Sequence, residues 1–565
     1  MQQEKVAETK TCPHCAVSFP ITDKDLEFYE KVSPVFNGQK YLIPTPTLCP
    51  DCRQQRRLSF RNERKLYKRK CDATGRDIIS IYSPDKPFKV YHQDFWWSDK
   101  WDAMEYGQDF DFERGFFEQF GELMKEVPRN NSDRDNCENC DYGNFLTNNK
   151  NCYMMFVGSN NEDCYYSNNI TKGQDLYDCT NMQNSIHCYN SVYLDECTNV
   201  INSFNCENWY WLNYCINCKN CKNCILCSNL SDKEFYIENV KYSPDEYEKM
   251  SNELQHNKNS LEKRFIDMAQ TTIRKSLIWK WSENFSGDII YNSKNIKYSF
   301  EVYGSENISY SQRILFSKNC MDVTIFWLNS ELGYELHNCG SNFYQNIFSS
   351  FCYPNNQYLA YCINCHSSSH LFACTWLRNK QYCILNKQYA KEEYETLVPK
   401  IIEHMQKTGE WGEFFPSSMS PFGYNETVAQ EYYPLSKDEA IRDNWFNWSD
   451  YEAPFPRVEK IIPAAKLPED ISKIPDDILN WAIECEVTGK PFRIIKQELE
   501  FYRKHNLPIP RRHPDQRHLD RMSLRNTRKL YERKCDKCGV EMMTTYAPER
   551  PEIVYCEECY NKEIL

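Results

Sequence analysis

Glycine is scarce in this 565-residue chain: 17 residues, too few for several phosphate-cradling loops. No GxxxxGKS/T, no strand-to-helix GxGxxG, no GxSxG and no HExxH occurs, so the common signatures of nucleotide-binding, hydrolase and metalloprotease sites are missing. No run approaches the length of a membrane-spanning helix. The opening MQQEKVAETK lacks the apolar stretch and cleavage pattern of a secretory leader, so a cytoplasmic protein is expected. Thiols stay reduced there, which decides how to read the 30 cysteines: as metal ligands or small buried hydrophobes rather than disulfides. A formal net charge of -12 excludes a surface built throughout for nucleic acid.

Metal chemistry is concentrated at the two ends. Cys12-Pro-His-Cys15 and Cys49-Pro-Asp-Cys52 form one pair of CxxC knuckles, and Cys535-Asp-Lys-Cys538 and Cys556-Glu-Glu-Cys559 form another. A CxxC turn delivers two sulfurs to one ion, and zinc takes four in a tetrahedron. Two structural zinc ions are therefore expected, each with four thiolates and no position left for water.

The ends are copies of one another. RLSFRNERKLYKRKCD from Arg57 and RMSLRNTRKLYERKCD from Arg521 agree at twelve of sixteen positions. In that register each copy has room for two knuckle pairs and keeps a different one. The lost knuckles are CDATG from Cys71, with His92, and CEVTG from Cys485, with His513; Thr74 and Thr488 take the place of a ligand. A threonine hydroxyl can hold such a turn through backbone hydrogen bonds, so the loop can outlast its metal.

The middle is repetitive. Cysteine recurs every nine residues from Cys179 through Cys188, Cys197, Cys206 and Cys215 to Cys224, with asparagine two positions after each of the first five. Other positions match better at eighteen, which predicts an 18-residue coil of two similar halves, with Cys179, Cys197 and Cys215 in one column and Cys188, Cys206 and Cys224 in another. Between Asn130 and Asn229 there are 24 asparagines and 13 cysteines, so asparagine does the turning that glycine would otherwise do. The run CINCKNCKNCILC from Cys215 aligns 147 residues on with CINCHSSSHLFAC, where Ser368 and Leu371 face Cys221 and Cys224. A copy that dispenses with two of the cysteines reads as solenoid packing rather than an iron–sulfur site, although the CxxCxxC spacing resembles one.

The expected fold is multidomain and mainly β. A zinc-ribbon-like module (1–128) precedes a parallel, β-helix-like solenoid in two parts (129–244 and 283–395, the second with a capping helix) around a helical insertion (245–282). A lash and Pro-rich linker (396–470) then leads to a second zinc-ribbon-like module (471–565), both modules being small α+β units.

RNERKLYKRKCDATG, the Cys/Asn repeats, LRNKQYCILNKQYAKEEYE and WGEFFPSSMSPFGYNETVAQEYYPL together resemble an uncharacterised family of bacterial zinc-ribbon proteins with Cys/Asn-rich repeats. The resemblance implies an intracellular protein and brings no activity, substrate or catalytic residue with it.

The expected function is a nonenzymatic zinc-binding scaffold whose partner is a protein or nucleic acid; no membrane or small-molecule substrate is indicated. If the segment after Cys52 is helical, Arg57, Arg61, Arg64 and Lys68 share one face, and Arg521, Arg525 and Arg528 repeat it. Such a strip suits phosphate oxygens of RNA or DNA, or the acidic middle of this same protein. The alternatives are a β-helix enzyme acting on carbohydrate, with Trp209, Trp211, Trp327 and Trp376 stacking on sugars, and a cysteine-rich metal or redox protein.

Overall fold

A computed structural model describes residues 4–255, 258–326, 328–455 and 457–564. Its organising feature is a backbone rhythm of three. From Asn136 to Glu238 nearly every third residue has φ between about +46° and +61°, as at Asn148 (54°), Asn181 (57°) and Asn217 (52°). Two extended residues and one left-handed residue make a short side and a corner, and four sides close a coil. Strand pairing fixes the coil at twelve residues: Asn168 lies beside Thr180, Ile186 beside Thr198 and Lys222 beside Glu234, all parallel.

The 18-residue coil is thereby corrected to twelve. Nine residues are three sides of three, so the cysteine repeat follows the sides and steps back one corner per coil. Each thiol meets the carbonyl of the cysteine nine residues on: Cys179 Sγ to Cys188 O at 3.4 Å, Cys197 to Cys206 at 3.4 Å and Cys215 to Cys224 at 3.5 Å. Cys179 and Cys197 do not stack. The column above Cys179 runs through Ser191 and Ser203 to Cys215, tied by Ser203 N–H to Ser191 Oγ at 3.1 Å and Cys215 N–H to Ser203 Oγ at 3.0 Å.

One residue in three points inward, so a coil has only four inner side chains, such as Leu176, Cys179, Met182 and Ser185, all buried. So narrow a bore favours small residues between the leucines. Cys215, Cys218, Cys221 and Cys224 fill the inner positions of one coil, and Cys227 sits over Cys215; all are buried and free. Burial pushes the Cys188, Cys206 and Cys215 thiols well up, so they stay protonated. At the corners, asparagine amides donate to the asparagine one coil on: Asn136 to Asn148 at 2.7 Å, Asn148 to Asn160 at 3.2 Å, and Asn205 to Asn217 at 2.8 Å.

The second solenoid opens on an eleven-residue step, Trp279 beside Ile290 and Glu283 beside Lys294, and then runs in twelve-residue coils (Lys294, Glu306 and Lys318 in line). It then inserts three single residues, pairing Ser317 with Ser330, Glu331 with Tyr344 and Tyr344 with Gln357, before returning to twelve. The two solenoids form sheets of 13 and 12 strands. Helices Pro244–Gln255 and Lys258–Thr271 cover the end of the first through Leu261 on Ile225, Leu226 and Ile237. Helix Lys391–Thr408 covers the end of the second with Tyr394, Val398, Ile401, Ile402 and Met405. The segment after it straps the N-terminal module, with Ser420 Oγ donating to Ser59 O at 2.7 Å and Val428 N–H to Arg61 O at 2.9 Å.

The corner geometry makes a prediction. Asn148→Val puts a β-branched side chain at φ 54° and cuts the ladder on both sides. It should cost about 2 kcal/mol and Asn148→Gly clearly less, read as shifts in the urea midpoint.

Candidate metal centres and docking arginines

The four knuckles share one backbone, with or without ligands. The first cysteine's carbonyl accepts from the residue four on (Ala16, Gly75, Gly489 and Gly539, 2.8–2.9 Å), and its N–H donates to the carbonyl five on (2.8–3.0 Å). The residue after the second ligand position is left-handed in all four: Ala16 φ 59°, Gly75 71°, Gly489 67° and Gly539 75°. In the decayed knuckles Thr74 and Thr488 bond to the sulfurs of Cys71 and Cys485. Burial opposes ionisation of these two thiols, but those hydroxyls and nearby backbone N–H groups outweigh it and lower both. The histidines have become helix caps: His92 Nδ1 accepts from Asp94 N–H at 3.3 Å and His513 Nδ1 from Asp515 N–H at 3.1 Å. Cys49 keeps the same N-cap place, at the start of helix Pro50–Leu58.

Cys12, Cys15, Cys49 and Cys52 bring four sulfurs within 4.8 Å of one another, and so do Cys535, Cys538, Cys556 and Cys559. Sulfurs bound at about 2.3 Å to one tetrahedral zinc lie about 3.8 Å apart. The structure has Cys15 and Cys49 at 3.6 Å and Cys538 and Cys556 at 3.8 Å. The donor sets therefore fit a four-thiolate ion. A hydrogen bond from Cys52 brings Cys49 down to about 5. Cys535 comes down to about 6, burial being outweighed by the N–H groups of Cys538 and Cys556. Among the described residues no other group of three or more ligand side chains gathers this way.

The arginine strip is placed differently from its expected helical face. Helix Pro50–Leu58 stops before Arg61 and Arg64, and Lys68 lies exposed on strand Tyr67–Lys70. Arg57, Arg61, Arg64, Arg521 and Arg528 are buried, and Arg525 is half-buried over Tyr432. Their partners are this protein's own carboxylates and rings. Arg57, wholly buried, reaches Glu335 at 2.7 Å and Asp322 at 3.5 Å, and Arg53 reaches Asp322 at 2.8 Å. Arg61 pairs with Glu63 at 2.6 Å, Arg64 faces Asp515 at 3.7 Å, and Arg528 reaches Glu301 at 2.9 Å.

These contacts come in equivalent pairs. Arg53 and Arg57 stand 464 residues before Arg517 and Arg521, and Asp178 stands 144 before Asp322. Arg517 and Arg521 pair with Asp178, the latter at 2.9 Å, and Arg521 Nε donates to Thr180 Oγ1 as Arg57 Nε does to Thr324 Oγ1. The N-terminal module thus docks on the second solenoid and the C-terminal module on the first. Arg313 contacts Asn169, its own counterpart 144 residues earlier, which places a pseudo-twofold axis there. Lys65 meets Asp515 at 2.8 Å, and Lys529 faces Asp51 reciprocally.

The other half of each module joins the opposite solenoid. Val90–Tyr91 pairs with Arg129–Asn130 ahead of the first solenoid, and Val554–Tyr555 with Arg274–Lys275 ahead of the second. Each module therefore bridges both solenoids. Both intact cysteine quartets lie with the second solenoid, and both decayed knuckles lie with the first. Sequence reasoning missed Arg53, Arg517, Asp178, Asp322 and Glu335. Arg53 and Arg517 stand four residues ahead of the repeated strip, where carrying its register back would have paired them, but the carboxylates had no local signal. Of the tryptophans, Trp211 is exposed and Trp376 buried; Trp327 and the side chain of Trp209 lie outside the described residues.

Arg57→Ala would leave Asp322 and Glu335 buried with one cation fewer, and should destabilise by about 3–5 kcal/mol. Lys68→Ala, on an exposed position, should change stability by under about 0.5 kcal/mol. Denaturation midpoints of the two variants test this contrast. Burial also lowers His366 and His518 to about 4 and holds His337 well below the usual histidine value. Their stability contribution is complete above pH 6.5, where the unfolded chain is neutral too, and is lost as pH falls toward 4. Melting temperature should drop across that window, and His366→Phe should flatten the drop.

No helix among the described residues is long and apolar enough to cross a membrane. No protein-family model, curated protein or solved structure matches this chain, so the likeness to bacterial zinc-ribbon proteins rests on the quoted motifs alone.

Proposed function

We propose that this protein is a nonenzymatic scaffold in which two β-solenoids are clamped side by side by two zinc modules and present their outer faces to a protein or nucleic-acid partner. The observation that carries this reading is the bridging of both solenoids by each module, with buried arginines on one side and a strand pairing on the other. Metal in such a place has a holding task. Each quartet supplies four thiolates, which completes zinc's tetrahedron and leaves no coordination position for substrate or water. Zinc suits these donors, and thirty free cysteines suit a reducing cytoplasm. A nucleic-acid partner would have to be met by residues other than the buried arginines, since Lys68 is the only fully exposed member of the strip.

Elemental analysis of the purified chain should return two zinc ions. Stripping them with a strong chelator should loosen the pair of solenoids, seen as a larger radius of gyration in X-ray scattering while far-ultraviolet circular dichroism keeps its β signal. Four zinc ions, iron with visible absorbance, or unchanged dimensions after complete metal removal would overturn the reading.

A further inference from the structure

Beside the contact of Arg313 with Asn169, where both solenoids, both modules and the strapping segment meet, lies a cavity of about 20 Å³. That space suits a small ion or water rather than an organic molecule. Its walls are charged: the guanidinium groups of Arg313, Arg525 and Arg528 face the carboxylates of Glu63, Glu301 and Glu431. Each carboxylate is already engaged. Glu63 holds Arg61 at 2.6 Å and Asn168 at 3.3 Å, Glu431 lies 3.3 Å from His518 Nε2, and Glu301 is shared by Arg528 at 2.9 Å and Arg313 at 3.7 Å. Arg525 differs from its neighbours. It lies 5.0 Å over the Tyr432 ring, with no carboxylate at ion-pair distance among the described residues.

The internal copy shows what Arg525 lacks. Arg61 stands 464 residues earlier and pairs with Glu63 two positions on, whereas Thr527 takes that place after Arg525. The local charge is uneven as a result. Arg61, Arg64, Arg313, Arg525 and Arg528 surround the three carboxylates, and even with Asp133, which also feels Arg61, the guanidinium groups are one in excess. Asp515, facing Arg64, is balanced by Lys65 at 2.8 Å, and His518, held at about 4 by burial, is neutral at pH 7. A neutral donor lines the same space. Asn169 Nδ2 donates to Asn181 Oδ1 at 2.6 Å, but the next corner is Tyr193, so the ladder stops and Asn181 Nδ2 is buried without an acceptor. A ligand that only accepts would satisfy this amide and supply the missing counter-charge together.

We propose that this cavity binds a monatomic anion of the halide type, chloride being the physiological one, between Arg525 and the Asn181 amide. Fixed guanidinium charge in a desolvated space supplies the attraction. Water could accept from Asn181 but would leave Arg525 without a counter-charge. Bound there, the ion ties the C-terminal module to a corner of the first solenoid at the pseudo-twofold axis.

The metal-loaded full chain is melted at neutral pH in rising sodium chloride and, at matched ionic strength, in sodium gluconate, whose organic anion is too large for the cavity. The melting temperature should climb to a plateau in chloride and not in gluconate. Arg525→Gln should weaken the apparent chloride affinity at least about tenfold. Asn181→Asp keeps the size and the accepting oxygen of the corner residue and brings its own negative charge. It should abolish the chloride response while melting in gluconate no lower than the parent. Crystals grown with bromide should show an anomalous peak between Arg525 and Asn181. An equal response of the parent to both salts, a chloride plateau unchanged in both variants, or no bromide peak in the cavity would overturn the proposal.

Discussion

A left-handed residue at every third position is the constraint on which this molecule depends. It turns the chain at each third residue, so four short sides close a twelve-residue coil whose bore holds four side chains. Asparagine pays least for such a corner among residues that also offer an amide, and stacked amides bond from coil to coil. The ladder is strong enough to impose the corner on poor candidates: Val157, Ile289 and Ile325 are β-branched and yet sit at φ 56°, 58° and 60°. Glycine's scarcity follows from the same cause. Corners that are hydrogen-bonded to their neighbours above and below have less need of glycine's freedom, and gain a bond it could not make.

A second level of order sits on the first. Single-residue insertions near Asn329, Asn342 and Asn355 widen the offset between the solenoids from 144 at Asp178 and Asp322 to 147 at Cys215 and Cys362. Asp322 lies in the part of the second solenoid that precedes the insertions, where both copies still run in step, and Glu335, past the first insertion, adds a second carboxylate to Arg57. That is why the aspartate of each solenoid meets an equivalent pair of arginines, Asp322 with Arg53 and Arg57, Asp178 with Arg517 and Arg521. The buried ion pairs contribute little net stability as charges, because desolvation offsets much of their attraction. Their value is positional: a carboxylate inside a wall admits a guanidinium fork in few orientations, and so fixes where each module sits.

Periodicity and metal spacing were legible in the sequence; three-dimensional pairing was not. The CxxC quartets needed only local spacing, and the parallel solenoid needed only a repeat. The coil length was misread because cysteine marks sides rather than coils: a nine-residue period is commensurate with three sides, and the eighteen-residue match follows from it without naming a closed turn. The arginine strip misled for a different reason. A guanidinium suits carboxylate and phosphate equally, and nothing near Arg57 in the chain shows that its partners are Asp322 and Glu335, more than 260 residues away. The overall charge of -12 was the one clue that acidic partners lay within the molecule.

The two halves also show two ways of holding the same knuckle. Where the C-terminal module keeps Cys556 and Cys559, the N-terminal module has His92 and Phe95, followed by Trp96 and Trp97. Trp96 is wholly buried, donates from Nε1 to Pro128 O at 3.2 Å and packs edge-on against Trp376 of the second solenoid. A buried tryptophan with its N–H satisfied contributes packing of the kind that lets a turn keep its shape without an ion. On the other decayed knuckle the replacement is polar: Glu498, inaccessible to solvent, is shared by Arg517, Tyr166 and Tyr502. The cysteine quartets thus remain where neither substitute has been built, against the second solenoid. The aromatic substitute also adds a contact that an ion could not, since Trp97, next in the chain, packs edge-on against His366 of the second solenoid.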